Sequence, residues 1–205
     1  MRVSAQTKVA TRKRILQVAR GLFAAKGYDV TTTRDIAEAA EIASGTLFNY
    51  FTTKDGILTS LASEALSDAL AEAGPGAPAD RTLDEDLFAL IALGLRKLTP
   101  LRKHLPVLIE TSLSPLAIAP HEESSLLRTG QLEAVLALAA KHGHGPLSST
   151  ALQLYWTLYT GVLVFWANDR SPKQEDTLAL IDDSLSMFVG WLRDDPRPDH
   201  APRKS

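Results

Sequence analysis

Apolar side chains recur at three- and four-residue steps along most of this chain, the spacing of amphipathic helices. Residues 1–10 are polar and predict a frayed end. From Thr11 to Lys26, Ile15, Val18, Ala19, Leu22 and Phe23 form one helical face, and Gly27 stops it. Thr32 followed three residues later by Asp35 resembles a capping box, so a second helix should run to about Ala40, with Ile36, Ala37 and Ala40 inward. After a turn over 41–43, a third helix from Ser44 to Phe51 places Leu47 and Phe51 inward. Thr52 with Asp55 is a similar start signal, before a longer helix from Lys54 to about Ala73.

The remainder reads as helical too. Gly74, Pro75 and Gly76 predict a loop over 73–80. Thr82 and Glu85 form a capping box, with Asp84 and Asp86 in the same first turn, for a helix reaching Leu98. Pro100 ends it. Leu101–Leu113 predicts a short helix kinked by Pro106. Pro115 and Pro120 bracket a loop, and Pro120–His142 predicts another helix, ended by HGHGP. Ser148–Asn168 and Lys173–Arg193 form a final pair, followed by a polar, disordered tail. No strand pattern or internal repeat is visible. The expectation is an all-α fold of about nine helices: a head over 1–55, a body over 56–193 and a tail over 194–205.

Composition narrows the class. The 205 residues are 45% hydrophobic and 22% charged, as in ordinary globular proteins. With no cysteine, disulfides and thiolate metal sites are excluded, and a cytoplasmic setting without signal peptide is expected. The longest apolar stretch, Tyr155–Ala167, is too short and too aromatic for a membrane span, so no membrane partner is expected. The net charge of −2 hides an asymmetry. Residues 1–60 hold nine Lys and Arg against five Asp and Glu, while the rest is acidic. A DNA-contacting head on an acidic body carries charge in this way.

The third helix is the informative one. It opens with Ser44, Gly45 and Thr46, and carries small, aromatic and amide side chains where a solvated helix carries Glu and Lys. Such a helix, held by a buried predecessor, suits the DNA major groove. No H-E-x-x-H, G-x-S-x-G or ferritin-like E-x-x-H pattern marks an enzyme. His142 and His144 flank a glycine, a weak metal pattern, and neither metal nor cofactor is expected. The competing readings are a helical dimeric interaction protein with impaired DNA binding and an all-helical enzyme.

Residues 14–58, RILQVARGLFAAKGYDVTTTRDIAEAAEIASGTLFNYFTTKDGIL, resemble the N-terminal domain of TetR-type (tetracycline-repressor-like) transcriptional regulators. The run F-A-x-K-G-Y, T-T-x-R-D-I-A, G-T-L-F-N-Y-F and a following Lys carries the resemblance. Two positions depart from it. Glu41 stands where the family usually has Gly, and Ala43 where it often has Ser, leaving Ser44 to cap. The resemblance implies DNA contacts from Thr33, Arg34, Ser44, Gly45, Thr46, Phe48, Asn49, Tyr50 and Lys54. Arg34 suits a bidentate guanine contact, against a phosphate contact or a pair with Glu38. Ser44 and Asn49 suit base edges, and Phe48 a thymine methyl. Gly45 permits close approach, and Thr46, Tyr50 and Lys54 suit phosphates. The alternative for Phe48 and Tyr50 is the core.

The resemblance also implies a homodimer on a near-palindromic operator, released by a small-molecule effector. The aromatic crowding of Tyr155–Trp166 implies a largely apolar pocket. Phe88, His104, Glu110, Trp156 and Tyr159 are its candidate lining. Leu152, Leu158, Val162, Leu178, Ile181, Leu185, Phe188 and Leu192 are candidates for a four-helix dimer interface.

Overall fold

A computed structural model of the chain describes residues 5–73, 80–109 and 122–194. These residues form nine α-helices and two 3₁₀ segments, with no strand among them. Residues 74–79 of the loop expected over 73–80, Glu110, the loop expected over 115–120 and, of the tail expected from 194, the residues from 195 on lie outside the described residues.

Helix α1 (Ala5–Lys26) starts six residues before the expected Thr11. Residues 5–10 hold neither Gly nor Pro, so nothing stops the helix there. It buries Ile15, Leu16, Ala19 and Phe23. Gly27 ends it with φ +90, a conformation a side chain strains to adopt. In α2 (Thr33–Ala39) the capping box forms as expected. Asp35 N–H donates to Thr32 Oγ1 at 3.1 Å, and Thr32 N–H donates to Asp35 Oδ2 at 2.8 Å.

The turn after α2 closes on a 3.0 Å bond from Ile42 N–H to the Ala37 carbonyl. Glu41 takes φ +53, the left-handed position that glycine fills at least cost. Helix α3 (Ser44–Phe48) is three residues shorter than expected. Its N-cap is Ala43, which has no side chain to cap with, and Ser44 lies inside the helix. Residues 49–51 wind down through turn bonds to Thr46 and Leu47. The cap of α4 (Lys54–Ala73) is Thr53, not Thr52: Gly56 N–H donates to Thr53 Oγ1 at 2.9 Å. Asp55 instead accepts a short hydrogen bond from the Tyr28 hydroxyl.

Helix α4 packs against α1 in the head and against α5 and α7 in the body. The hydrophobic core therefore continues from Ile15 and Phe23 through Ile57, Leu58 and Leu61 to Leu87, Tyr155 and Trp166. The expected boundary at residue 55 falls on the first turn of that shared helix. Helix α5 (Leu83–Leu98) follows its capping box, with Thr82 N–H donating to Glu85 Oε2 at 2.8 Å.

Helix α5 ends at Leu98, just before Pro100, as expected, and the chain winds on in another form. Where the Leu101–Leu113 helix is expected, Thr99–His104 is a 3₁₀ segment and Leu105–Leu108 is α6; residues 110–113 lie outside the described residues. Pro100 and Pro106 remove two backbone donors within seven residues, so a regular α ladder cannot run through them. Helices α7 (Glu122–Lys141), α8 (Ser149–Asn168) and α9 (Glu175–Asp194) complete the body.

Asp86, on the first turn of α5, ties the body together at the end of α7. Its buried carboxylate accepts from Lys141 Nζ at 2.7 Å and lies 2.9 Å from His142 Nε2. Burial acts to raise its pKa, but those two hydrogen bonds outweigh it and hold the carboxyl below its ordinary value.

Candidate DNA-contacting face

Leu47 anchors α3 with no exposed surface, and the other side of this short helix faces out. Ser44, Gly45, Phe48 and Asn49 are exposed, and Thr46 is half-buried. Phe48 is 49% exposed, which removes the core reading for that ring. A phenyl group held open to solvent beside an amide and two hydroxyls is a surface suited to base edges and a thymine methyl. A Cβ added to Gly45 would meet nothing within 4 Å, so that edge of the helix is open to a backbone approaching it.

Arg34 is exposed on the first turn of α2 and makes no ion pair with Glu38. Thr33 is half-buried beside it. Tyr50 is half-buried and packs against the core, which is the alternative weighed for it. Glu41 is exposed at the turn between α2 and α3, and the turn forms around it.

Lys54 is placed differently from the other candidates. Its ammonium donates to the carbonyls of Tyr28 at 2.8 Å and Thr31 at 3.1 Å, with a longer contact to Asp29 at 3.5 Å. It also lies 4.1 Å from the centre of the Tyr28 ring. Thr31 is fully buried, and its hydroxyl donates to the Gly27 carbonyl at 2.7 Å. These bonds knot the α1–α2 connection to the start of α4.

The same ring meets the body. His104, 8% exposed, lies 5.3 Å from Tyr28 and 6.4 Å from Phe23, centre to centre. Burial pushes its imidazole below the ordinary value. Lys103 and Lys54 push the same way, and Asp29 opposes them. The Tyr28 hydroxyl is pushed up, first by burial and then by its bond to Asp55. His104 thus faces the head rather than only the body interior, where the sequence reading put it.

Among the other effector candidates, Phe88 is half-buried against the core, and Trp156 and Tyr159 are buried. The Tyr155 hydroxyl accepts from Gln131 at 2.9 Å. Tyr159 Oη and His104 Nε2 are buried with no hydrogen-bond partner among the described residues. Burial raises the pKa of Tyr159, so it is a neutral hydroxyl with an unused donor.

On α8 and α9 the expected interface set divides. Ile181, Leu185 and Val162 are buried in the chain's own core, with Phe188 nearly so. Leu178 is exposed, and Leu152, Leu158 and Leu192 are half-buried. Leu158, Val162 and Phe188 of that set also line the outer face, together with residues outside it. Leu154, Gly161, Phe165, Leu180, Ser184, Met187 and Trp191, with Leu158, line an open apolar groove of about 810 Å³. Met187 is 77% exposed there. The signal was available: 154, 158, 161 and 165 step by four, three and four, and so do 180, 184, 187 and 191. That is the spacing of a helix–helix seam.

Among the described residues, no helix is long and apolar enough to cross a membrane.

Residues 15–61 match the sequence model of the family described as bacterial regulatory proteins, tetR family. The HTH-type transcriptional regulator YvkB of Bacillus subtilis is 43% identical over 58 residues, 28% of this chain and 31% of that one. The HTH-type transcriptional repressor KstR2 of Rhodococcus jostii is 39% identical over 61 residues, 30% of each chain. These matches span about a third of the length of the curated relatives. The fold extends further. The crystal structure of Thermus thermophilus FadR, a TetR-family transcriptional repressor in complex with lauroyl-CoA, superposes with a TM-score of 0.64 at 20% identity, covering 95% of this chain and 99% of that one. Residues 15–61 thus carry the sequence pattern of the tetR family of bacterial regulatory proteins, and the chain as a whole shares the fold of a solved TetR-family regulator.

Proposed function

We propose that this chain is a cytoplasmic, homodimeric repressor that binds a near-palindromic operator and is released by a small, largely apolar effector. The observation that carries this reading is the outer face of α3, where Ser44, Phe48 and Asn49 stand exposed around the buried anchor Leu47. Arg34 adds a free guanidinium at the start of α2, suited to the O6 and N7 of guanine. The basic head over 1–60 supplies the long-range attraction to phosphates. That KstR2 is named a repressor supports the sign of regulation.

The α8–α9 groove supports the dimer. Two copies joined there would bring four helices together and set two α3 helices on one face, about one duplex turn apart. The effector reading rests on the aromatic interior around Trp156 and Tyr159, and on a buried hydroxyl that lacks a partner. An unpaired buried polar group costs about 1–3 kcal/mol, which a ligand bearing a matching group would recover. Fatty acyl-CoA thioesters are the first class to try, because Thermus thermophilus FadR holds lauroyl-CoA.

Selection of bound fragments from genomic DNA near physiological salt tests the function. A palindromic site, lost on adding the effector, is the expected result. Weak binding without sequence preference would favour an interaction protein with a disabled head. A melting series with acyl-CoA thioesters of increasing chain length tests the effector class, with the expected rise limited to the chains that fit.

A further inference from the structure

We infer that Lys54 is a positioning residue and not a phosphate grip: it holds Thr33 and Arg34 in place from behind and touches no DNA. The inference rests on the DNA-binding reading above. An ammonium group has three N–H donors. In Lys54 they point at the carbonyls of Tyr28, Thr31 and, more distantly, Asp29, and the charge sits 4.1 Å above the Tyr28 ring. Two donors are engaged at 2.8 and 3.1 Å, so a phosphate oxygen would have to compete with the knot or take the donor of the weak 3.5 Å contact.

The bonds also have an evident purpose. The carbonyls belong to the connection that ends at Thr32, the N-cap of α2. Beyond that cap lie Thr33 and Arg34. Lys54 itself is the first residue of α4, directly after the α3 unit. One side chain therefore ties the chain entering α2 to the chain leaving α3, and fixes the position of the two-helix unit between them. Thr31 reinforces the same knot through Gly27, and Asp55 does so through the Tyr28 hydroxyl.

The two roles predict different variants. Arginine keeps the charge, so K54R would preserve a phosphate contact. A planar fork does not fit the compact seat of an ammonium converging on carbonyls over a ring, so K54R would not preserve the knot. The experiment compares wild type, K54R, K54M and Y28L. Y28L removes the ring under the ammonium and leaves the charge in place, and it covers the case in which K54M fails to fold.

First, amide hydrogen exchange without DNA is followed over residues 28–36. Faster exchange there in K54M, K54R and Y28L, with α8 unchanged, is expected. Exchange at the wild-type rate in these variants would overturn the inference, whether or not the chain binds DNA.

Second, affinity for the selected operator and for random duplex is measured across salt concentrations. Expected is a loss of about tenfold or more on the operator for all three variants, with random-duplex affinity and the salt slope preserved. Operator binding retained by K54R and Y28L, with a K54M slope shallower by about 0.9 per bound subunit, would overturn it in favour of a phosphate contact. Failure of the DNA-binding reading has its own signature: wild type would itself show no operator preference, and the exchange result would still decide the role of Lys54.

Discussion

Among the described residues, aromatic side chains are exposed in two places, and their surroundings differ. On α3, Phe48 stands exposed with Ser44 and Asn49 on the same short helical turn. On α8 and α9, Phe165, Met187 and Trp191 lie in an apolar groove that Gly161 and Ser184 also line. An isolated ring among polar groups can read a methyl while its neighbours satisfy hydrogen-bonding edges. A largely apolar groove lined in part by small residues suits the close approach of another helix pair. The comparison teaches that the exposed aromatic alone says little, and that the polarity of its neighbours is what separates the nucleic-acid surface proposed for α3 from the dimer surface proposed for α8 and α9.

Four changes break or sharpen that contrast. The largest effect should come from Phe165→Asp, which puts a charge into the groove. Self-association should weaken by roughly a hundredfold or more, because an unpaired charge cannot be buried there. Sedimentation would measure it, and operator affinity should fall in parallel. Arg34→Ala leaves the groove untouched. It should lose about tenfold or more on the operator, from the roughly 1–3 kcal/mol of a good base contact. Equal weakening on random duplex would make Arg34 a phosphate contact.

His104→Phe acts between the two surfaces and reads out in pH. The folded state holds the imidazole below its ordinary value of 6.5, so the unfolded chain binds more protons. The contribution of neutral His104 is therefore complete above about pH 6.5. It is lost as pH falls through that value toward the folded pKa. Melting curves at pH 7.5 and 5.5 should show a smaller acid penalty in the variant than in wild type. The smallest effect should come from Glu41→Gly. It relieves the left-handed residue and removes a negative charge beside the DNA face, so roughly a twofold gain in operator affinity is expected, with stability rising by at most about 1 kcal/mol. A binding titration and a denaturant series would check both.

The head was legible in residues because its signals are local. Thr32 with Asp35, the stop at Gly27 and the inward Leu47 each depend on a few neighbours, and each formed as expected. The misses also have physical reasons. The α1 start was placed late because polar residues looked frayed, though nothing there breaks a helix. Lys54 was read from its place at a helix start, but its partners Tyr28 and Thr31 lie more than twenty residues back and are brought to it only by the fold. In the body, apolar positions on α8 and α9 showed helices but not which face was turned inward. Ile181 and Leu185 went to the chain's own core, and the seam through Phe165 and Met187 went outside. That choice depends on where α5 packs against α9, a distant contact that no local pattern encodes.

Helix α3 spans only five residues, and Ala43 leaves its first turn without a side-chain cap. So short a helix cannot nucleate by itself and exists only while Leu47 is held by its neighbours. The reading surface must then assemble last when the chain folds and open first when it is warmed, well before the long helices of the body separate. Heating should leave, over an interval of temperature, a paired and folded protein that no longer recognises its DNA.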